Sequence, residues 1–566
     1  MARLAKLSLF AAVALVRFLS GTAAIAASPP PEAGAANGWV AGSALATGSL
    51  GLFPVGDFRL AKGECPDCTT IRQALWYFGD DLVAVPKPGV IISGSARGVA
   101  PQEDVRRWYA GATRENLVSR PPLVWLGSPE VVAGARLQPG GTLRLEDGRA
   151  QAFRVTPKIA ANRSYYDAKT AAFFEKRPLR LRGHLEQPQG AEPTFVARTI
   201  WPQDYTIDAT TIKLDPLAPG ETMDALVKLE PKAERETFDT RLLWERTPGK
   251  PRMWDNHAVL AILLNGAQGD DDEAHGGHFA IVTGRYGPGG PMADWIVNNF
   301  YNLDYFSEKG IVASMVPMDN YQMDLNSGQS YYRPSYMLVA LLKDDHAAHA
   351  YQGAIQRVYN RFYRHDFLYD HAASNCAGIS IDTLRALGWN VPERGPTSYV
   401  KAVAAYPYMA VKEMSLESGR KSFAYLKEEQ TRLYPAVAFD AIGTDLLHLV
   451  GAQPGGKRNS SAFEKRLQDE VEAVIFVRIP QVPSSRAFGT YPVASIDEYL
   501  KRVPEDKSNW QIVPVDPRPF PREFTDAEAL QERIDFMSLG VAGTILAMVM
   551  LLASRLRRRK RAIPGG

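Results

Sequence analysis

Apolar residues in the first half of the chain fall at every second position within short runs, and glycine or proline separates one run from the next. This alternation predicts β-strands, because successive side chains of a strand point to opposite faces. The runs at 179–186 and 195–201 flank a polar turn and are predicted to pair. Further strands are predicted at 82–85, 89–92 and 142–145. The first half is therefore expected to be β-rich, as a barrel or a sandwich over residues 38–246.

The second half of the chain has a different period. Its apolar residues mostly recur at helical spacing, about every 3.6 residues, with two or three strand-like runs between them. Such a mixture predicts an α+β domain over residues 253–450 and an α/β extension over 451–512. The expected fold class of the whole chain is α+β. Helices are predicted at 346–364, 415–433 and 462–474, and a strand at 474–479.

Both ends of the chain carry apolar segments typical of proteins directed to membranes. Residues 1–27 have a basic start, an apolar core and small residues, the layout of a secretory signal peptide, although Arg17 interrupts the core. A proline-rich linker and juxtamembrane helix are predicted at 513–535. The uncharged run 536–554 is long enough for a transmembrane helix, and the basic tail 555–566 is expected to stay cytoplasmic. The chain is thus predicted to span a bacterial inner membrane once, with its body in the periplasm.

The charge balance argues against nucleic acid as a partner. The formal net charge is +3, and the basic tail contributes six positive charges, so the rest of the chain is slightly negative. A nucleic-acid surface normally requires a basic patch or stripe on the folded domain. We therefore expect a membrane-associated protein that binds no nucleic acid, and no cofactor is expected.

Three cysteines occur in the chain. Cys65 and Cys68 form a C-x-x-C pair, and in an exported protein such a pair favours a structural disulfide. The alternative is a thioredoxin-like redox motif, but the surrounding sequence lacks a clear βαβ frame. Cys376 is left over. Residues 374–375 form a polar pair that begins a helix-like apolar run, and this run ends at Gly388, so the sulfur is expected in the first helical turn.

A histidine and an asparagine complete a candidate nucleophilic site with Cys376. His278 is the first residue of a predicted strand at 278–284, and a second strand at 294–301 is predicted to pair with it across a glycine-rich turn. A helix N-terminus and a nearby imidazole both favour the thiolate form of a cysteine. Asn298 or Asn299 is placed to orient the imidazole, and the sequence leaves open which of them faces inward.

Two alternatives compete with this interpretation. Cys376 could be a buried, inert side chain, because free cysteines are often buried. The second alternative is a metal site, because several carboxylates and imidazoles lie in the segment before the predicted strand. Acidic runs, however, are usually solvated loops. The candidate ligands in that segment are Asp270, Asp271, Asp272, Glu273, His275 and His278, and a weaker group near Cys376 is His365, Asp366, Asp370 and His371.

The run Gly277-His278-Phe279-Ala280-Ile281-Val282, followed much later by Ser374-Asn375-Cys376, resembles the circularly permuted papain-like hydrolases of the NlpC type. The resemblance extends over roughly residues 256–389 and implies a permuted papain-like domain within 253–450. By position it makes Cys376 the nucleophile, His278 the base and Asn298 or Asn299 the third member.

The same resemblance implies a cell-envelope substrate. Members of this superfamily cleave or transfer acyl groups through an acyl-thioester on cysteine, and the backbone amide of Cys376 would help to hold the oxyanion. The implied substrate is a peptidoglycan amide or peptide bond, or a lipid acyl group. This chain departs from the compact pattern by an insertion at 301–345. The alternative function is a noncatalytic envelope scaffold or binding module that keeps the fold.

Overall fold

The structure is a computed structural model. It describes residues 42–43, 49–62, 65–68, 71–78, 82–117, 123–125, 130–156, 166–187, 189–228, 237–266, 277–302, 311–325, 328–331, 333–363, 366–367, 369–370, 372–454 and 459–485, together with residues 495, 498 and 501.

The strands are short in the first half of the chain and longer in the second. In chain order they are β1 (Gly42–Ser43), β2 (Ser49–Leu50), β3 (Phe53–Pro54), β4 (Phe58–Lys62), β5 (Leu82–Pro86), β6 (Val124–Trp125), β7 (Glu130–Gln138), β8 (Thr142–Arg144), β9 (Ala150–Val155), β10 (Leu179–Glu186), β11 (Thr194–Pro202), β12 (Asp239–Glu245), β13 (Ala258–Asn265), β14 (His278–Arg285), β15 (Ile296–Asn302), β16 (Ile311–Pro317), β17 (Ser335–Leu342) and β18 (Val471–Ile479).

The longer helices follow β17. In chain order the α-helices are α1 (Arg72–Tyr77), α2 (Pro101–Ala110), α3 (Arg114–Leu117), α4 (Ala168–Glu175), α5 (Met223–Lys228), α6 (Met318–Met323), α7 (His346–Tyr363), α8 (Cys376–Leu387), α9 (Tyr399–Lys412), α10 (Leu416–Lys427), α11 (Gln430–Leu433), α12 (Pro435–Leu449) and α13 (Ala462–Glu470). The chain is thus a mixed α+β protein with a β-rich N-terminal half.

Five strands of the first half close into a barrel. Strand β7 pairs with β10, β10 with β11, β11 with β9, β9 with β8, and β8 with the end of β7, while β1 pairs with the first two residues of β7. Side chains such as Leu181 and Phe195 are fully buried. The β10–β11 register shifts at Gly183, where an added Cβ would lie 2.1 Å from the carbonyl oxygen of Val196. Of the predicted barrel or sandwich, the structure has a barrel, formed by strands within residues 130–202, and the predicted 179–186 to 195–201 pairing is confirmed.

A ten-stranded sheet in the order β12-β18-β17-β13-β14-β15-β16-β6-β5-β4 forms the centre of the protein. Its pairs are antiparallel except β16 and β6. Every residue of β13 and β17 is buried, as expected for central strands covered on both faces. Helices α7, α8 and α12 pack on its middle strands. The three segments predicted as 38–246, 253–450 and 451–512 all contribute strands to this one sheet.

Three expectations about local structure need correction. Residues 89–92 form no strand: Gly89 has a φ of 85° and Ile91 is 88% exposed, so the segment is a turn followed by an irregular stretch. Helix α13 ends at Glu470 instead of residue 474, because Val471 already pairs with Leu342 in the sheet. Residues 301–345, predicted as an insertion, supply β16, α6 and the central strand β17.

Residues 396–428 belong to a separate compact unit, and its described part is the helical hairpin α9–α10. Ser398 and Ser415 cap the two helices through their side chains, and Met414 takes the left-handed φ of 48° in the tight turn between them. At Gly419 an added Cβ would lie 2.7 Å from the carbonyl oxygen of Tyr406, so the two backbones approach closely there.

Among the helices that the structure describes, none has both the length and the apolar character that crossing a membrane requires. The predicted signal peptide, linker, transmembrane helix and basic tail lie outside the described residues.

Candidate active site around Cys376 and His278

Cys376 is the first residue of α8. The side chain of Asn375 accepts a hydrogen bond from the backbone N–H of Gly378 at 2.9 Å, which caps the helix as predicted. At the other end Gly388 adopts a left-handed φ of 105° and ends the helix. The predicted helix is therefore confirmed, and it holds the sulfur, in a residue only 5% exposed, at the helix N-terminus, where the helix dipole favours negative charge.

His278 is the first residue of β14, at the end where β14 and β15 are no longer paired. The pairing of β14 with β15 is limited to Val282 and Thr283, so the strands separate toward His278. In this space Nε2 of His278 lies 3.0 Å from Oδ1 of Asn299. An amide oxygen only accepts hydrogen bonds, so Nε2 carries the proton of the neutral ring and Nδ1 has the free lone pair.

The structure distinguishes the two asparagine candidates. Successive residues of a strand face opposite sides, and of this pair Asn299 is the one that bonds His278. Asn298 lies instead toward the hydroxyl of Tyr351 on α7. Of the two asparagines that the sequence left open, Asn299 is the one that contacts the imidazole.

The cysteine and histidine elements meet directly, since α8 packs on β14. The backbone amide of Phe279, the residue after His278, forms a hydrogen bond with the Cys376 sulfur. The thiol, the imidazole and the Asn299 amide thus belong to one cluster built from three elements. This brings together the three kinds of group that nucleophilic catalysis uses, with the sulfur bonded to the backbone next to His278.

The thiol does not have the lowered pKa that the helix start suggested. Burial raises the pKa of Cys376 above its usual value of 9.0, while hydrogen bonds from the Phe279 amide, the Tyr369 hydroxyl and the Ala377 amide, and the charge of Arg333, lower it less strongly. Burial wins because the thiolate loses its hydration. Cys376 is therefore a protonated thiol at neutral pH and needs a base to become a nucleophile.

The imidazole of His278 is the candidate for that base. Part of His278 remains accessible, but burial of its ring lowers its pKa to about 4, and the positive charge of Arg333 acts in the same direction. The hydrogen bond to Asn299 opposes this shift only in part. His278 is thus neutral at pH 7 with a free lone pair, but in this closed arrangement it is a weak base for a thiol whose own pKa is raised.

Tyr369 is a site residue that the sequence did not suggest. Its hydroxyl accepts a hydrogen bond of 3.1 Å from the backbone N–H of Cys376 and also bonds the sulfur. The amide predicted to hold an oxyanion is therefore occupied by a phenol oxygen. The ring of Tyr369 packs against Phe300, 5.3 Å away between ring centroids, which holds the phenol over the thiol.

A buried polar network supports His278 from behind. The ring of Tyr321 on α6 stacks on the imidazole at 6.2 Å, and its hydroxyl donates to Asn265. The Asn265 amide donates to the Ser335 hydroxyl at 2.7 Å, and Ser335 donates to Gln322 at 3.1 Å. Because all four partners are buried, the network fixes Tyr321 against the ring.

Ion pairs connect helix α6 to the barrel. The guanidinium of Arg182 on β10 bonds Asp319 on α6 at 2.6 Å, and both side chains are fully buried. Arg180 binds Asp294 through two hydrogen bonds of 2.7 and 2.9 Å, and Arg182 adds a third. Burial opposes the ionisation of Asp294, but the two arginines hold its pKa below the usual value. The β-rich half thus helps to fix the helix that carries Tyr321.

The candidate metal ligands at 270–275 lie outside the described residues, as do His365 and His371. Asp370 accepts from the backbone amides of Ala372 and Ala373, so it shapes the turn before α8. Within the residues described, one group has ligand atoms close enough to hold a metal ion, namely Cys65, Asp67 and Cys68.

The two cysteines of that group are joined to each other. Cys65 and Cys68 form a disulfide with a Cα separation of 5.2 Å, and Arg59 contacts both sulfurs and pairs with Asp67. As long as the disulfide is closed, its sulfurs are not thiolate ligands.

Neither models of known protein families, nor curated proteins, nor solved structures give a significant match to this chain. The fold and the site therefore define the protein only as a mixed α+β protein with a buried thiol, an imidazole and an amide in one cluster.

Proposed function

We propose that this protein is a cysteine-dependent acyl hydrolase or acyltransferase of the permuted papain-like, NlpC-type superfamily. The observation that carries the proposal is the 3.0 Å contact between Nε2 of His278 and Oδ1 of Asn299. The residue after His278, Phe279, bonds the Cys376 sulfur through its backbone amide. The contact with Asn299 leaves Nδ1 unprotonated in a neutral ring, as a general base requires.

The proposed reaction starts from a protonated thiol and a neutral imidazole, whose pKa values must move toward each other when a substrate binds. Nδ1 of His278 takes the thiol proton while the sulfur attacks a carbonyl carbon, and the resulting imidazolium returns the proton to the leaving amine or alcohol. The product is an acyl-thioester on Cys376, which water or a second acceptor then cleaves. The carbonyl oxygen displaces the Tyr369 hydroxyl from the Cys376 amide, and this amide then stabilises the oxyanion.

The substrate class belongs to the same proposal. The signal-like start, the apolar run 536–554 and the basic tail support a body in the periplasm on a single membrane anchor. The acyl donor is then an envelope component, either a peptidoglycan amide or peptide bond or a lipid acyl group.

Three observations favour the alternative of a noncatalytic binding module. Cys376 is 5% exposed, its pKa is raised, and Tyr369 occupies its backbone amide. A protein that keeps this closed arrangement would bind an envelope ligand without covalent chemistry.

The deciding experiment is the capture of the thioester. The full chain is incubated with peptidoglycan fragments, with phospholipids and with an activated ester, and intact mass spectrometry records acyl adducts that hydroxylamine removes. Adducts on Cys376 that disappear in Cys376→Ala and fall strongly in His278→Gln support the enzyme. If the activated ester leaves the folded protein unmodified, the binding module is supported instead.

A further inference from the structure

The helical hairpin α9–α10 carries a row of exposed apolar side chains. Along α9 and the turn after it, positions 400, 403, 404, 407, 408, 411 and 414 are all exposed and uncharged, and their spacing of three and four residues places them on one face of the helix. We call these seven residues the apolar stripe. The exposed fractions of its large members are 82% for Val400, 65% for Val403, 40% for Tyr408, 78% for Val411 and 85% for Met414.

The composition of α9 is unusual for an exposed helix. Its sequence contains only two charged residues, Lys401 and Lys412, although Ala402 is its one buried residue. A helix that is apolar nearly all round is normally buried in a core or in a membrane. The stripe therefore lacks the cover that its composition requires.

The partner helix α10 does not supply that cover, because it packs on the opposite side of α9. Ala402, Tyr406 and Ala410 of α9 lie on this inner side, where the ring of Tyr406 meets Phe423 at 6.5 Å and Ala410 approaches Gly419. The contacts within the hairpin are thus complete without the stripe.

The charges around the apolar stripe indicate which kind of partner covers it. Lys401 and Lys412 are eleven residues apart, close to three helical turns at about 3.6 residues per turn, so both lie along the same border of the stripe. The Lys412 ammonium lies 6.0 Å from the Tyr408 ring centroid. Three more cations, Arg420, Lys421 and Lys427, are exposed on α10. An apolar face with tyrosine and with lysines at its edge is the composition of helices that lie in a bilayer interface.

We infer that the hairpin α9–α10 is an interfacial membrane-binding element, which inserts the apolar stripe into the headgroup and upper acyl region of a bilayer that contains anionic lipids. A bilayer fits better than a protein partner, because the stripe offers no charged group for specific pairing, while Lys401 at its edge and the cations of α10 are exposed and match lipid phosphates. Lys412 contributes less, because it pairs with Glu413 at 3.3 Å. A second copy would bring the same lysines together. The inference does not depend on the chemistry of Cys376, so it stands or falls separately from the proposed function.

The test uses the full chain reconstituted in vesicles of phosphatidylethanolamine and phosphatidylglycerol. Cys376→Ser removes the free thiol, and a fluorescent label is attached through Val411→Cys in the stripe or through Lys421→Cys, the matched control on α10. Lipids brominated on their acyl chains act as quenchers. We expect several-fold stronger quenching at 411 than at 421. Replacing Val400 and Val403 by Asp should weaken the quenching at 411 without changing the circular dichroism, because both side chains are exposed.

Other results would overturn the inference. Equal quenching at the two positions would mean that the stripe stays in water. A label at 411 that is shielded from water but not quenched by lipid would indicate a protein partner, and disulfides between two copies at 411 would identify that partner as this chain itself. Lys401→Gln with Arg420→Gln should reduce the quenching in anionic vesicles but not in neutral ones, and an unchanged signal in anionic vesicles would contradict the role of these cations.

Discussion

Nε2 of His278 and Oδ1 of Asn299 are 3.0 Å apart, across two strands whose pairing has already ended at Val282. This contact determines which nitrogen of the imidazole carries the proton, and so which nitrogen can accept one from a thiol. A carboxylate in the place of Asn299 would raise the pKa of the ring, whereas the neutral amide orients it without adding charge. In the absence of substrate, the Cys376 thiol and the His278 imidazole are therefore both uncharged.

Replacing Asn299 by Ala should slow the reaction of Cys376 with an activated ester by about tenfold to a hundredfold, because the imidazole loses the bond that selects its tautomer. The measurement is the second-order rate of adduct formation, followed by intact mass. Asn298→Ala is the matched control: it removes the same side chain from the next position of β15, where the amide lies toward Tyr351. Equal losses in the two variants would argue for a merely structural effect.

The sequence predicts much of this site because the signals are local. Residues within a single helix determine its cap at Asn375, its span from Cys376 to Leu387 and its end at Gly388. The strands of the barrel are likewise predicted from patterns within each strand. The choice between Asn298 and Asn299 could not be made in advance. Alternation shows that they face opposite sides, but which side meets His278 depends on the register between strands.

Other features depend on tertiary contacts that no local pattern contains. A helix start alone predicts a low thiol pKa, whereas burial of α8 against β14 raises the pKa of Cys376. Tyr369 looks like an ordinary aromatic residue in the sequence, and its role appears only when its hydroxyl meets the Cys376 amide. Strand β18 joins the sheet beside β17 after more than a hundred residues, a pairing of the kind that periodicity cannot reveal.

Replacing Arg333 by Gln should raise the pKa of His278 above about 4, because the positive charge of Arg333 disfavours the imidazolium. Burial is the larger cause of the low value, so the pKa should remain below the usual 6.5. The measurement is NMR titration of the ring protons, with the His278 signal assigned by its absence in His278→Gln. A wild-type pKa at or above 6.5 would contradict the neutral, enclosed imidazole.

The same shift makes the stability of the protein depend on pH. The unfolded chain binds a proton at His278 below about 6.5, whereas the folded protein binds it only near 4, so stability should fall as the pH drops through this window. His278→Gln lacks this contribution. Denaturant unfolding at several pH values should therefore show a shallower loss for the variant than for the wild type, and identical slopes would contradict the prediction.

Replacing Tyr369 by Phe should raise the pKa of the Cys376 thiol still further, because the sulfur loses one of the hydrogen bonds that favour its thiolate. The ring and its packing on Phe300 are kept, so the fold should not change. Thiolate absorbance as a function of pH gives the pKa. Tyr363→Phe is a suitable control, since its hydroxyl donates to the Ala313 carbonyl instead. A lower thiol pKa in Tyr369→Phe would show that the phenol does not support the thiolate.

Replacing Arg182 by Met should lower the free energy of unfolding by about 3 to 5 kcal/mol, because the fully buried Asp319 loses its hydrogen-bonded guanidinium and keeps only Arg180, 3.7 Å away. The matched control is Arg154→Met, which removes an ion pair to Glu186 on the same barrel with both side chains about two-fifths exposed; its cost should stay below about 1 kcal/mol. Urea denaturation measures the free energy of unfolding of both variants.

The same pair of variants also tests the site. Asp319 lies two residues before Tyr321, and the ring of Tyr321 stacks on His278. Arg182→Met should therefore also slow Cys376 acylation, whereas Arg154→Met should not. Similar stabilities for the two variants would mean that the buried pair does not hold α6 against the barrel.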